Sequence, residues 1–210
     1  VLVAAVVKPT SADDAEAAQL ALKTAAIRMP DREVCAAELA DSLDGSSGPT
    51  QIVLLDILGS VGGKKALAAV GTAAKSSDVA LQDAGSRLLG EWRTIDAAPV
   101  LLSVAKGGGK FQIRALRGYI GIAQKFTMSE AERAQMCTSA LEIARQPAEL
   151  KLIFDVLKRY PNLEMLKVAV KTMADPDLKK DATDAAKAIA LKVPKTDEVK
   201  AILTKAGLDK

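Results

Sequence analysis

Apolar residues recur along this chain at spacings of three and four, and Gly, Pro and Ser clusters interrupt them at short intervals, which is the pattern of amphipathic helices. Ser11-Ala-Asp-Asp14 predicts the cap of a helix whose apolar face is Ala15, Ala18, Leu22, Ala25, Ala26 and Met29. Pro30 ends it. Val34, Cys35, Leu39 and Leu43 predict a second helix that Gly45-Ser-Ser-Gly-Pro49 breaks, with Pro49 suited to the first turn of a third. Further helices are predicted over 52–61, 64–75, 79–93, 97–106, 111–126, 130–145, 148–160, 163–174, 178–192 and 197–206. Such short turns between about twelve helices predict packed antiparallel pairs.

The pairs repeat. Gly59, Gly90 and Gly121 are 31 residues apart, and Gln82-Asp83-Ala84 falls over Ile113-Arg114-Ala115 at the same offset. An offset of 99 lays Asp56-Ile-Leu-Gly-Ser-Val over Asp155-Val-Leu-Lys-Arg-Tyr without a gap and puts Ser77-Asp78-Val79 on Pro176-Asp177-Leu178. A six-residue insertion near 127–133 reconciles 99 with three periods of 31. Self-similarity at this length, with two helices per unit, predicts an all-α, right-handed α-solenoid of about six antiparallel helix pairs.

The segments Leu55-Asp-Ile-Leu-Gly59-Ser-Val-Gly-Gly-Lys-Lys-Ala-Leu67, Ile113-Arg-Ala-Leu116 and Ala174-Asp-Pro-Asp-Leu178 resemble HEAT repeats, above all the bacterial HEAT-like (armadillo-like) units. Those units carry Leu-Gly near the end of the first helix, a Pro-Asp or Ser-Asp turn, and a Val-Arg-x-Ala start to the next helix. The resemblance covers about 50–206, with 11–43 as an atypical first pair, so that 1–210 reads as one repeat domain. Asp83 stands where the family's Arg is expected, which predicts an incomplete Asp-to-Arg ladder between units. The family implies a non-catalytic interaction or spacer scaffold. Arrays of this kind serve as modules of large exported bacterial proteins, which implies an exported or periplasmic setting. The lack of an initiator Met and the short apolar start Val1–Val7 agree with an excised piece of such a protein.

Composition narrows the chemistry. Alanine supplies 38 positions and leucine 25, aromatic residues only 3%, and histidine none. The commonest general base is therefore missing, no Ser-His-Asp set or His-containing metal set can be assembled, and no enzyme activity or cofactor is predicted. Cys35 and Cys137, 102 residues apart on apolar faces, read as buried and reduced. Leu58-Gly-Ser-Val-Gly-Gly-Lys-Lys65 lacks the first glycine and the hydroxyl of a phosphate loop and follows a helix, so it reads as a turn. Asp13-Asp14 and Asp175-Pro-Asp177 read as helix-capping acids. Trp92 and Tyr119 read as packing between layers, and Gly85, Gly90, Gly118 and Gly121 as points of close helix approach. No apolar run reaches the length of a membrane span.

Charge supplies the only lead toward a partner, and it competes with the plainer reading that the lysines simply solvate an alanine-rich helix surface. Residues 1–105 hold 9 Lys plus Arg and 13 acids, whereas 106–210 hold 20 and 13. In HEAT-like arrays the second helix of each pair lines the concave side. The resemblance therefore puts Lys64, Lys75, Lys106, Lys167, Lys171 and Lys200 there, as a surface for an acidic protein or a polyanionic glycan. A nucleic-acid backbone, held as on the HEAT-like alkylpurine glycosylases, is the alternative, poorly served by so few arginines and aromatics. A bilin lyase subunit, a third family use of these repeats, finds no cysteine or histidine motif here.

Overall fold

In a computed structural model that describes residues 1–208, the chain is all-helical, with no strand among the described residues. The helices are α1 (Leu2–Val7), α2 (Ala12–Arg28), α3 (Arg32–Asp44), α4 (Pro49–Val61), α5 (Gly63–Ala73), α6 (Val79–Gly90), α7 (Ala98–Gly107), α8 (Gln112–Lys125), α9 (Glu130–Ile143), α10 (Pro147–Arg159), α11 (Leu163–Thr172), α12 (Lys179–Ala190) and α13 (Asp197–Lys205). A single 3-10 turn, Ile95–Ala97, precedes α7. Two compact units are formed, Val1–Gly118 and a second beginning at Tyr119.

Local chemistry sets the helix ends. The Ser11 hydroxyl accepts from the Asp14 N–H at 3.1 Å, and Asp31 and Asp78 each accept from two N–H groups of α3 and α6. Ser129 and Glu132 form a reciprocal capping box at the start of α9. Pro49 and Pro147 occupy first turns, where the missing N–H has no intrahelical use. Three expectations shift. Val1–Val7 contributes a helix, α1, that repeat spacing did not predict. The helix expected through Arg93 stops at Gly90, so Trp92 lies half-buried beyond it rather than on the helix. Asp175 accepts from the Asp177 N–H at 3.0 Å in a tight turn, while α12 starts only at Lys179 after Leu178, with no side-chain cap.

In the first unit three successive helices pack on the next and the next but one: α2 on α3 and α4, α3 on α4 and α5, α4 on α5 and α6, while α1 packs on α2, α5 on α6 and α6 on α7. In the second unit α9 packs on α10 and α11, α10 on α11 and α12, and α11 on α12 and α13. Short helices cannot bury a stripe alone, and here the core is built from their shared seams. Leu54, Leu55, Leu58, Leu89 and Leu101 are fully buried in the first unit, and Ile153, Leu157, Met165, Leu166 and Ile189 in the second. Cys35 and Cys137 are both buried and unbridged, and burial pushes the Cys137 thiol up to about 12.

The region of the six-residue insertion has a built-in clamp. Arg133 is 6% exposed and stacks on the Tyr160 ring at 3.7 Å. Its guanidinium donates to the carbonyls of Ala123 and Phe126, and the Tyr160 hydroxyl donates to the Gln124 carbonyl at 2.6 Å. Carbonyls around the C-terminal end of α8 thus receive side-chain donors in place of a next helical turn.

Glycines divide by what surrounds them. A Cβ on Gly85 would stand 2.4 Å from the Ala74 nitrogen, and one on Gly118 3.2 Å from the Gly90 Cα, so both mark backbones in contact. Gly121, in the same 31-residue series as Gly59, has nothing within 4 Å of a Cβ. Gly121→Ala should therefore raise stability by about 1 kcal/mol through helix propensity alone. Gly85→Ala should lower it by about 1–3 kcal/mol, since the backbone of the neighbouring segment has to move. Urea unfolding of both variants followed by circular dichroism checks the opposite signs.

Candidate functional site

Polar links join elements one repeat length apart in the sequence. Arg87 meets Asp56 at 2.7 Å, and Arg114 meets Asp83 at 2.7 Å while also donating to the Ser86 hydroxyl at 3.0 Å. Both pairs span 31 residues. Asp83, which breaks the family pattern, therefore acts as the acceptor of a rung rather than removing one. In the second unit Lys167 spans the same 31 residues to reach Glu198 at 3.0 Å.

Glu33 makes a further link of this length. Its two carboxylate oxygens accept from the backbone N–H groups of Lys64 at 2.6 Å and Lys65 at 3.0 Å, the free donors at the start of α5. Gly62 and Gly63 precede them at φ 72° and 89°, and a Cβ on Gly63 would come within 2.6 Å of the Glu33 carboxylate. The segment that superficially matched a phosphate loop is thus a turn whose anion is the protein's own side chain. The N–H groups of Lys65 and Lys64 hold the Glu33 carboxyl below its ordinary value.

The six lysines expected on one surface have unequal surroundings. Lys64 and Lys75 are exposed at the start of α5 and just after it, and Lys106 is exposed in the last turn of α7; none has an ion pair among the described residues. Lys75 shares with Lys65 a groove of about 600 Å³ beside α3 and α5, whose lining also includes Asp44 and the apolar Ala40, Leu43 and Leu55. In the second unit Lys171 is exposed in the last turn of α11. Lys167 is held between Glu198 and Glu164, which together raise its pKa, and Lys200 faces Asp197 at 3.4 Å. Sequence spacing found the lysines but missed their acidic partners, although Lys167 and Glu198 lie one period apart.

Among the described residues no group of three or more Cys, Asp or Glu side chains is placed to hold a metal ion, and no helix is long and apolar enough to cross a membrane. Compared with known proteins, the chain matches no family model, no curated protein and no solved structure.

Glu33 makes a testable contribution. Its folded pKa lies below the ordinary 4.5, so its stabilisation is complete above that value and is lost as pH falls through the lower folded value. Glu33→Gln should lower the melting temperature at pH 7 and flatten its fall at pH values below 4.5. Some acid sensitivity should persist, because hydroxyls lower Asp14 and the Ser129 cap lowers Glu132 in the same direction. Thermal melts from pH 7 to pH 3 measure both effects.

Proposed function

We propose that this chain is a HEAT-like α-solenoid segment acting as a non-catalytic interaction scaffold, and that the groove beside α3 and α5 receives an acidic segment of a protein partner. The observation that supports the repeat reading is the packing of α2, α3 and α4 in the first unit, and of α9, α10 and α11 in the second, on both the next and the next-but-one helix. Stacked antiparallel pairs require this pattern. The ion pairs spanning 31 residues support it independently, because a rung at constant sequence distance needs neighbouring units in constant register.

The groove supports the partner reading through its chemistry. Lys65 and Lys75 lack ion pairs among the described residues and outnumber Asp44, while Leu43 and Leu55 add apolar lining. An acidic peptide segment satisfies the lysines and buries the apolar surface. A polyphosphate backbone is the weaker occupant, since Lys167 and Lys200 already face carboxylates.

Two measurements test these readings separately. A Leu203→Ala cavity in α13 should reduce amide protection in α11 to α13 and leave α4 to α6 unchanged, as nearest-neighbour stability requires. Equal loss of protection throughout would overturn the repeat reading. For the groove, Lys65→Glu with Lys75→Glu should abolish salt-sensitive binding of a fluorescent poly-glutamate peptide while leaving the helical circular dichroism unchanged. Undiminished peptide binding, or tighter retention of duplex DNA than of the peptide, would overturn the partner assignment.

A further inference from the structure

A second cavity of the first unit, about 560 Å³, lies among α2, the start of α3, the end of α4, α6 and the segment after α6. Its volume is that of a small-molecule site. Lys23, Arg32 and Arg93 line it, and none of their side chains has a hydrogen bond or ion pair among the described residues. Glu91 is the one acidic side chain in the lining, and Arg87 approaches it at 3.9 Å. Other nearby acids are engaged: Asp56 by Arg87, and Glu33 by the N–H groups that begin α5. Three cations against one carboxylate leave a surplus of two positive charges facing one cavity.

Trp92 is the only tryptophan of the chain, and it lines the same cavity half-buried, with Leu88 in the same lining. Its indole N–H donates to no atom among the described residues, so the ring offers an apolar face and an unused donor together. A guanidinium presents paired N–H groups to the oxygens of an oxyanion, and an indole face stacks on a planar ring.

We propose that this cavity binds a small dianion carried on a planar ring, with an aromatic phosphate monoester as its chemical class. Arg32, Arg93 and Lys23 take the phosphate, and Trp92 takes the ring. The site shares no lining residue with the groove beside α3 and α5, so it stands or falls separately from the scaffold reading.

The lone indole N–H gives a single reporter resonance. Titration of the ¹⁵N-labelled chain with 1-naphthyl phosphate should shift that resonance saturably, and added salt should weaken the binding. The Arg32→Gln, Arg93→Gln double variant, altered only at exposed side chains without partners, should bind about tenfold more weakly with unchanged circular dichroism. Inorganic phosphate and 1-naphthol should each bind about tenfold more weakly than the ester. Absence of a saturable shift up to about 10 mM ester would overturn the proposal. Equal affinity of the double variant would overturn the assignment of the arginines, and equal affinity for 1-naphthol would reduce the cavity to an apolar patch.

Discussion

The structure depends on small residues at helix contacts. Helices of ten to fourteen residues such as α4 to α12 are marginal in water by themselves, and an alanine-rich one carries little apolar area to bury. The remedy here is proximity. Ala36, Ala66, Ala74, Ala105, Ala115, Ala169, Ala182, Ala185 and Ala186 are completely buried, so the leucines between them reach across to the next helix. Gly85 carries the same logic to its limit, with no room for even a methyl group. Close contact of this kind is unforgiving of added volume and indifferent to side-chain polarity outside the seam, which leaves the outward faces free to carry lysines and acids.

Constant sequence separation then becomes a structural quantity. Asp56 with Arg87 and Asp83 with Arg114 each join side chains 31 residues apart, and both do so at the same distance of 2.7 Å. Each of these pairs is partly exposed, so each contributes only a fraction of a kcal/mol, roughly 0.2–1. Their value is in fixing register: a helix slipped by one residue loses its partner. Glu33 goes further, because its carboxylate binds backbone donors that an unoccupied helix start would leave to water.

Much of this was legible in the sequence, and the failures have physical causes. Twelve of the thirteen helices, most of their boundaries and the burial of both unbridged cysteines follow from periodicity and turn residues, which act locally. Asp83 looked like a gap in the ladder because a motif comparison asks whether Arg occupies a fixed place. The structure needs only opposite charges at successive equivalents of that place, and Asp83 followed by Arg114 supplies them. α1 escaped because a run of seven apolar residues has no polar face from which to read a period. Trp92 was assigned to a helix because the apolar pattern continues past Gly90, whereas the chain turns there and a 3-10 turn leads into α7. The glycine repeat misled in part: Gly121 keeps the spacing without the close approach.

Function was far less legible, since binding surfaces depend on which charges remain uncompensated after folding. Lysine spacing treats Lys75 and Lys167 alike. In the structure Lys167 is spent on Glu198 and Glu164, while Lys75 remains available beside an apolar groove. The same subtraction picks out Lys23, Arg32 and Arg93, which no motif joins because they come from α2, α3 and the turn after α6. A phosphate-loop comparison pointed instead to Gly62 and Gly63, where the anion position is already filled from within. Which charges a helical chain leaves for a ligand is therefore decided by the cations left over once its internal links are made, and in the first unit these include Lys65 and Lys75 in the groove beside α3 and α5 and Lys23, Arg32 and Arg93 around the cavity beside Trp92.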